Sequence, residues 1–362
     1  MSIATMTSRE RVNAAFERRD QDRVPRHDTF WPDTIRRWAG EGLEGGQARV
    51  YELLGNDIQR LHMPWPGVHS SEIILGEDDK TVTKRDIHGR IGRWWKDREG
   101  TPEHLGFECD SREKWESTYK PLLLKAKHTP DLDTLQRTYR TGHEAEHWMC
   151  MTGFEPFECI RALIGDEEAA IAMATDPEWI VDLAVTYTDR MIVIYQRALD
   201  AGLTCDGLWT YGDMAYNHAT FCSPAMYREL IWPQHIRLVE FAHAHDMKFI
   251  YHSDGNINGV IDLFLEAGFD CLQPLEAKAG MDVCELCPEY GDRLAFFGNI
   301  DIMKLSTNDR TVIEQEVRGK LDAGKLTRGY LYHSDHSVPP TVSWTTYQFL
   351  IEFLEHYGRY DR

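Results

Sequence analysis

Lys248-Phe-Ile-Tyr-His-Ser-Asp254 is a short apolar run that ends in a histidine and an acid, and Gly255 follows at once. Its length, its aromatic and β-branched content and the glycine behind it read as one β-strand stopped by a turn. From about residue 145 the same design recurs in His147 to Phe154, Gly207-Leu-Trp-Thr-Tyr-Gly-Asp213, Cys271-Leu-Gln-Pro-Leu-Glu276, Leu294-Ala-Phe-Phe-Gly-Asn299 and Gly329-Tyr-Leu-Tyr-His-Ser-Asp335. Helical segments lie between them, such as Pro224 to His245 and Ile257 to Ala267, the latter ended by Gly268. Strands that alternate with helices predict βα units and a parallel sheet.

The polar residues fall at the C-terminal ends of these runs: Asp213, then His252 and Asp254, Glu276, Asn299 and Asp301, and Asp335 and His336. A parallel barrel brings such ends together at one mouth, whereas a doubly wound sheet spreads them along an edge. The expected fold is therefore α/β, a (β/α)8 TIM barrel, with residues 1–362 as one domain. Solvated strand ends are the bland alternative, but acids and histidines this close to apolar runs must be paired or used.

Upstream, Thr7-Ser-Arg-Glu-Arg-Val-Asn-Ala-Ala-Phe16 carries a cap, an early glutamate and apolar residues at 12, 15 and 16, the pattern of an amphipathic helix. Asp22-Arg-Val-Pro25 stops it and leads into Arg26-His-Asp-Thr-Phe-Trp31, a candidate first strand. The alternation within 76–98, with His88-Gly89 at its turn, predicts an antiparallel hairpin that decorates the barrel.

Composition narrows the function classes. The chain has 362 residues, 42% of them hydrophobic, and 40 Lys and Arg against 59 Asp and Glu give a net charge of −19. That field repels phosphate backbones and anionic membrane surfaces, so neither nucleic acid nor membrane is expected as a partner. No run approaches the roughly 20 apolar residues of a membrane span, and the N-terminus lacks a signal-like pattern, so a soluble cytoplasmic protein is expected. The eight cysteines lack the dense spacing of a disulfide scaffold and are expected to be reduced; Cys284 and Cys287 form a C-x-x-C without a second ligand pair at zinc-finger spacing. A small-molecule substrate fits best, and a homodimer is left open.

Two constellations can carry chemistry. His252 and Asp254 are two positions apart at a strand end and project to one side, which suits two metal ligands or a general acid/base with its orienting partner; a hydrogen bond that merely stiffens the turn is the alternative. Tyr332-His-Ser-Asp-His336 repeats the arrangement before Ser337-Val-Pro-Pro340, where Asp335 or His336 can complete a donor set for zinc, iron or manganese. Glu276 is a candidate fourth ligand or proton carrier, with Lys278 close by, and Asn299 and Asp301 are candidate substrate contacts. Trp31, Trp65, Phe154, Trp209, Tyr211 and Tyr216 can wall a pocket for a flat ligand, although aromatics beside such strands are more often core.

At these positions the chain resembles the uroporphyrinogen decarboxylase superfamily. The resemblance runs from Ser8-Arg-Glu-Arg-Val12 and Asp22-Arg-Val-Pro25, through His252-Ser-Asp-Gly255 and Phe297-Gly-Asn-Ile-Asp301, to Ser334-Asp-His-Ser-Val-Pro-Pro340. It implies the barrel fold, and an activity in one of two branches. The decarboxylase branch holds porphyrinogen carboxylates with an arginine-rich N-terminal segment; here the matching stretch is His27-Asp-Thr-Phe-Trp-Pro-Asp33, which makes Asp28 and Trp31 substrate-binding candidates instead. The methyltransferase branch binds zinc through a His-x-Cys pair and a later Cys, matched here by His252, Asp254 and Asp335. Carboxylates in place of thiolates leave a bound metal more Lewis acidic.

The leading expectation is a zinc- or other metal-dependent methyltransferase or demethylase, with Asp213, Glu276 and His336 as catalytic groups and cobalamin on a separate corrinoid protein. A metal-free decarboxylase or lyase of a polycarboxylate is the second; it requires a basic pocket, with Arg26, Arg36 and Arg37 as candidate anchors and Asp213 or Asp254 facing a cationic intermediate. A non-catalytic docking barrel is the third.

Overall fold

A computed structural model describes residues 5–360. Its strands are β1 (Ile58–His62), β2 (Ile73–Glu77), β3 (Thr81–Arg85), β4 (Arg90–Trp95), β5 (Glu103–Phe107), β6 (Trp148–Phe154), β7 (Gly207–Tyr211), β8 (Lys248–Ser253), β9 (Cys271–Pro274), β10 (Ala295–Phe297) and β11 (Tyr330–Leu331). Seven of them form a parallel sheet in the order β1-β6-β7-β8-β9-β10-β11, so neighbours in that sheet follow one another along the chain.

The sheet curls. Alternate residues from all seven strands meet on its inner side, where Ile58, Trp148, Cys150, Trp209, Ile250, Cys271, Ala295, Phe297 and Leu331 form one buried cluster. Burying one tryptophan of this kind removes about 150–250 Å² from water, worth roughly 4–6 kcal/mol as an upper bound. The helix Ser8–Phe16, capped by Thr7 and Glu10 as its sequence requires, closes the N-terminal end of the cluster with Val12, Ala15 and Phe16. Phe16 stacks on Trp148 at 5.5 Å. With that end plugged, open space is left at the C-terminal strand ends.

The expected eight regular strands are met by seven. Arg26 to Trp31 is not a strand but makes isolated parallel bridges, Arg26 to Tyr332 and Phe30 to Val338. Arg26 O also accepts from Asp57 N–H at 2.8 Å, which links this segment to the start of β1. Pro25 has no N–H to give, which limits a continuous ladder here. Arg11, Asp22 and Arg23 stitch the same corner together: Arg11 pairs with Asp22 and Asp57, each at 2.6 Å, and Arg23 with the fully buried Asp57 at 2.7 Å.

The expected hairpin within 76–98 is the β3–β4 pair, and β2 and β5 extend it to a four-stranded antiparallel sheet. The expected helix Pro224 to His245 is two helices, Pro224–Leu230 and Trp232–Ala244, because Pro233 supplies no N–H across the junction at Ile231. Gly268 caps its helix with φ +88°, as its position suggested. No helix of the described residues is long and apolar enough to cross a membrane. All eight cysteines are free.

Candidate functional site

A cavity of about 420 Å³ opens where the parallel strands end. Trp31, Trp65, Phe154, Trp209 and Tyr211 give it aromatic walls, and Arg60, His252, Asp254, Gln273, His333 and His336 give it polar ones. Strand register sets this division, since His252 lies beside Tyr211 of β7 and Gln273 of β9.

At its rim Asp213, His252 and Asp254 converge, with one donor atom from each lying within 4.8 Å of the others. His252 Nε2 is 3.7 Å from Asp213 Oδ1 and 3.8 Å from Asp254 Oδ1. Two tight approaches of the backbone aim the acids. A Cβ on Gly212 would lie 1.9 Å from Glu155 Oε1, and Glu155 is fixed by the N–H groups of Phe157 and Glu158 and by His235. Gly255 has φ +82°, and a Cβ there would lie 2.5 Å from the Ala215 carbonyl carbon. The Asp254 N–H donates to Asp213 Oδ1 at 2.9 Å, which locks the two turns together.

The arrangement fits a divalent cation. Gln273 Oε1 accepts the Nδ1–H of His252 at 2.5 Å, so Nε2 carries its lone pair toward the acids, the usual backing of a metal-bound imidazole. Asp254 Oδ1 is buried without a hydrogen-bond partner. Burial pushes the Asp254 carboxyl above its ordinary range; Asp213 and Glu276 add to the shift, and His252 and His336 offset it in part. A bound cation would relieve that repulsion and satisfy the orphaned oxygen.

The structure sorts the other expected site residues. His336 and Trp31 line the cavity with stacked rings 6.2 Å apart, and His336 Nε2 is 4.0 Å from Asp254 Oδ2. Tyr211 also lines it, its hydroxyl accepting from Arg60 at 3.2 Å. Asp335, expected to complete the donor set, stands apart: its oxygens accept the N–H groups of Ala277 at 2.9 Å and Ile302 at 2.8 Å, and Asp213 takes its place in the group. Glu276 accepts from Gly255 N–H and pairs with Lys278, both at 2.8 Å, so it braces the turn behind Asp254 rather than facing the cavity.

Asn299 and Asp301 do not reach the cavity lining either. Asn299 is fully buried, accepting from Val283 N–H and donating to the carbonyls of Leu275 and Met281. Asp301 caps the helix Ile302–Leu305. Asp28 is a buried hub that accepts from the hydroxyls of Ser334, Tyr332 and Tyr347. Backbone or hydroxyl donors thus occupy both Asp28 oxygens, Asn299 Oδ1 and Asp301 Oδ1.

Several cavity groups escape a reading of strand ends. Arg60 sits inside β1, and Arg26, Arg36 and Arg37 do not line the cavity: Arg26 is held by the Leu54 and Leu354 carbonyls and Glu355, Arg36 by Asp33, and Arg37 by Glu41 and the Pro340 carbonyl. His333, which lines the cavity, and His27, which does not, are buried, with Nδ1–H directed to the Ser334 carbonyl and Asn56 Oδ1, which leaves both Nε2 atoms as bare acceptors. Burial, helped by Arg60, holds both rings below the ordinary histidine range. The signal for Arg60 was the alternation Ile58, Arg60, His62, one face of a strand whose polar content hides it.

Residues 134–357, more than half of the chain, match the family model described as Uroporphyrinogen decarboxylase (URO-D). None of the curated proteins matches the chain. Among solved structures, a methyltransferase from Methanosarcina mazei aligns over 97% of this chain and 98% of its own with a TM-score of 0.67 at 16% identity, a likeness of fold. The YdhT protein from Bacillus subtilis aligns over 91% and 85% at 9% identity with a TM-score of 0.41, too low to carry an argument.

Proposed function

The chain belongs to the uroporphyrinogen decarboxylase (URO-D) family, and from that premise we propose that it is a metal-dependent methyltransferase, moving a methyl group from a small O- or N-methylated substrate to the cobalt of a separate corrinoid protein. The observation that carries this reading is the Asp213, His252 and Asp254 group at the rim of an aromatic cavity. The methyltransferase fold neighbour supports it.

A divalent cation held by these three residues, zinc being the first choice, would supply Lewis acidity toward the ether, hydroxyl or amine of the substrate. Gln273 keeps His252 in the tautomer that offers Nε2. The methyl leaves without the electron pair of its C–O or C–N bond, and that pair stays on the heteroatom, which then takes a proton. His336 is the donor, since it lines the cavity beside Asp254 and is still reached by solvent. Trp31 holds the imidazole by stacking, and the aromatic walls keep water off the departing methyl.

The test presents the purified protein with reduced cobalamin and a panel of methyl ethers and methylamines, following methylation of cobalt by its absorbance. Metal-dependent methylation that is lost in His252→Ala is expected. Metal-free protein with His252→Ala as active as wild type would reject the reading. A second reading, a metal-free carboxy-lyase acting on a polycarboxylate, is favoured by one observation, the arginine in the cavity; it predicts carbon dioxide release that survives chelation.

A further inference from the structure

The cavity holds one buried donor without an acceptor and one cation without a counter-anion among the described residues. Arg60 lines it and carries a full positive charge, yet among the described residues its donors meet no carboxylate. Its guanidinium reaches the Tyr211 hydroxyl at 3.2 Å and lies over the Trp209 ring, 5.7 Å from the centroid. Trp209 lines the same cavity, is fully buried, and its Nε1–H has no acceptor. In a chain with 59 acidic residues, an arginine without an acid beside it stands out.

Leaving the buried indole N–H unpaired costs about 1–3 kcal/mol, and a guanidinium that meets tyrosine hydroxyls but no carboxylate lacks a counter-charge, so the cavity calls for a ligand that answers both. A planar anion with two oxygens does so: the guanidinium fork matches a carboxylate, and the indole N–H gives one further donor. Asp213 and Asp254 stand together at the His252 rim and, in the metal-free protein, repel an anion. A ligand carrying one carboxylate is therefore oriented, its anionic end toward Arg60 and its other end toward the Asp213, His252 and Asp254 group. Aromatic walls from Trp31, Trp65 and Phe154 suit a flat body between the two ends.

We propose that Arg60 and Trp209 form a carboxylate anchor, and that the substrate is a flat monocarboxylate whose reacting group lies at the far end from its anion. The inference rests on the reading of this cavity as the substrate site, and on neither the metal nor the methyl acceptor. A bare acceptor, His333 Nε2, sits in the same cavity and takes an O–H or N–H donor of the ligand rather than a carboxylate oxygen.

Calorimetric titration with benzoate and with its neutral isostere benzamide tests the anchor, on the protein as purified and after dialysis against a chelator. Wild type is expected to bind benzoate about 10–100-fold more tightly than benzamide in both preparations. Arg60→Gln should abolish that preference, Arg60→Lys should restore part of it, and Trp209→Phe should weaken benzoate alone; Arg36→Gln, on the surface, is the control. Equal binding of the two probes, no binding of either, or a preference that survives Arg60→Gln would overturn the proposal. Should Arg60→Gln fail to fold, the wild-type preference and Trp209→Phe decide. A benzoate preference without any methyl transfer would leave the anchor standing and reject the methyltransferase reading, so the two failures are told apart.

Discussion

Tyr251-His-Ser-Asp254 and Tyr332-His-Ser-Asp335 are the same four residues in the same order, each placed where a parallel strand gives way to the mouth of the fold. They end in opposite states. After β8, the His252 Nε2 lone pair and an orphaned Asp254 oxygen share a rim with Asp213. After β11, His333 spends its Nδ1–H on the next carbonyl, and both Asp335 oxygens are taken by backbone N–H groups. The neighbours make the difference. Gly255 turns the chain sharply enough to present Asp254, and Gln273 sits across from His252. Beyond Asp335, the start of the helix at Ile302 and the turn at Ala277 supply donors that draw the acid inward. The same aspartate thus becomes an acid with an open oxygen at one end and an acid spent on the backbone at the other, decided by which donors the fold brings within reach.

The widest gap between the two ends should open on removing the acids. Asp254→Ala is expected to lose its cation and to cut turnover by more than about 100-fold, since even an outer partner of a metal ligand costs about 10–100-fold. Mass-spectrometric metal content and initial rates measure both, and a nearly unchanged melting temperature would show that the fold is intact.

Asp335 should answer in stability rather than in metal. Burial pushes its carboxyl from the ordinary 3.8 up to about 6. The folded chain then holds the proton more tightly than the unfolded one, so the stabilisation from this group is complete below the lower value and is lost as pH rises through the upper one. Relative to Asp335→Asn, wild type should lose about 3 kcal/mol across that window, while metal content stays the same in both. Denaturant titrations at a series of pH values check the slope, and a slope of opposite sign would contradict the burial argument.

Smaller effects sharpen the contrast. Gln273→Leu frees the His252 ring to turn and should weaken cation binding by about 10–100-fold, read by competition with a chelating dye. Lys278→Met removes an exposed partner of Glu276 and should cost about 1 kcal/mol or less by thermal melting, with the cation retained.

The rhythm of the fold was legible because six of the parallel strands are short apolar runs separated by helices, and their polar ends included His252, Asp254, Asp213 and His336, which meet at one cavity, while the aromatic set included Tyr211 in its wall. What stayed hidden depended on contacts rather than on pattern. Ile58-Gln-Arg-Leu-His62 is too polar to announce a strand, so β1 and with it Arg60 were missed, and the first strand expected at Arg26 is only a pair of bridges. Asp28, Asn299, Asp301, Glu276 and Asp335 have the chemistry of site residues, but each meets backbone or hydroxyl donors that no spacing along the chain reveals. Residue type states what a group can do. Which partners the fold brings within about 3 Å states what is left for it to do.

The most direct test is anomalous diffraction at the zinc edge from crystals grown with one equivalent of zinc. A single peak bounded by Asp213, His252 and Asp254, and absent in crystals of His252→Ala, is the result this account predicts. No peak there, or a peak beside Asp335 instead, would contradict it.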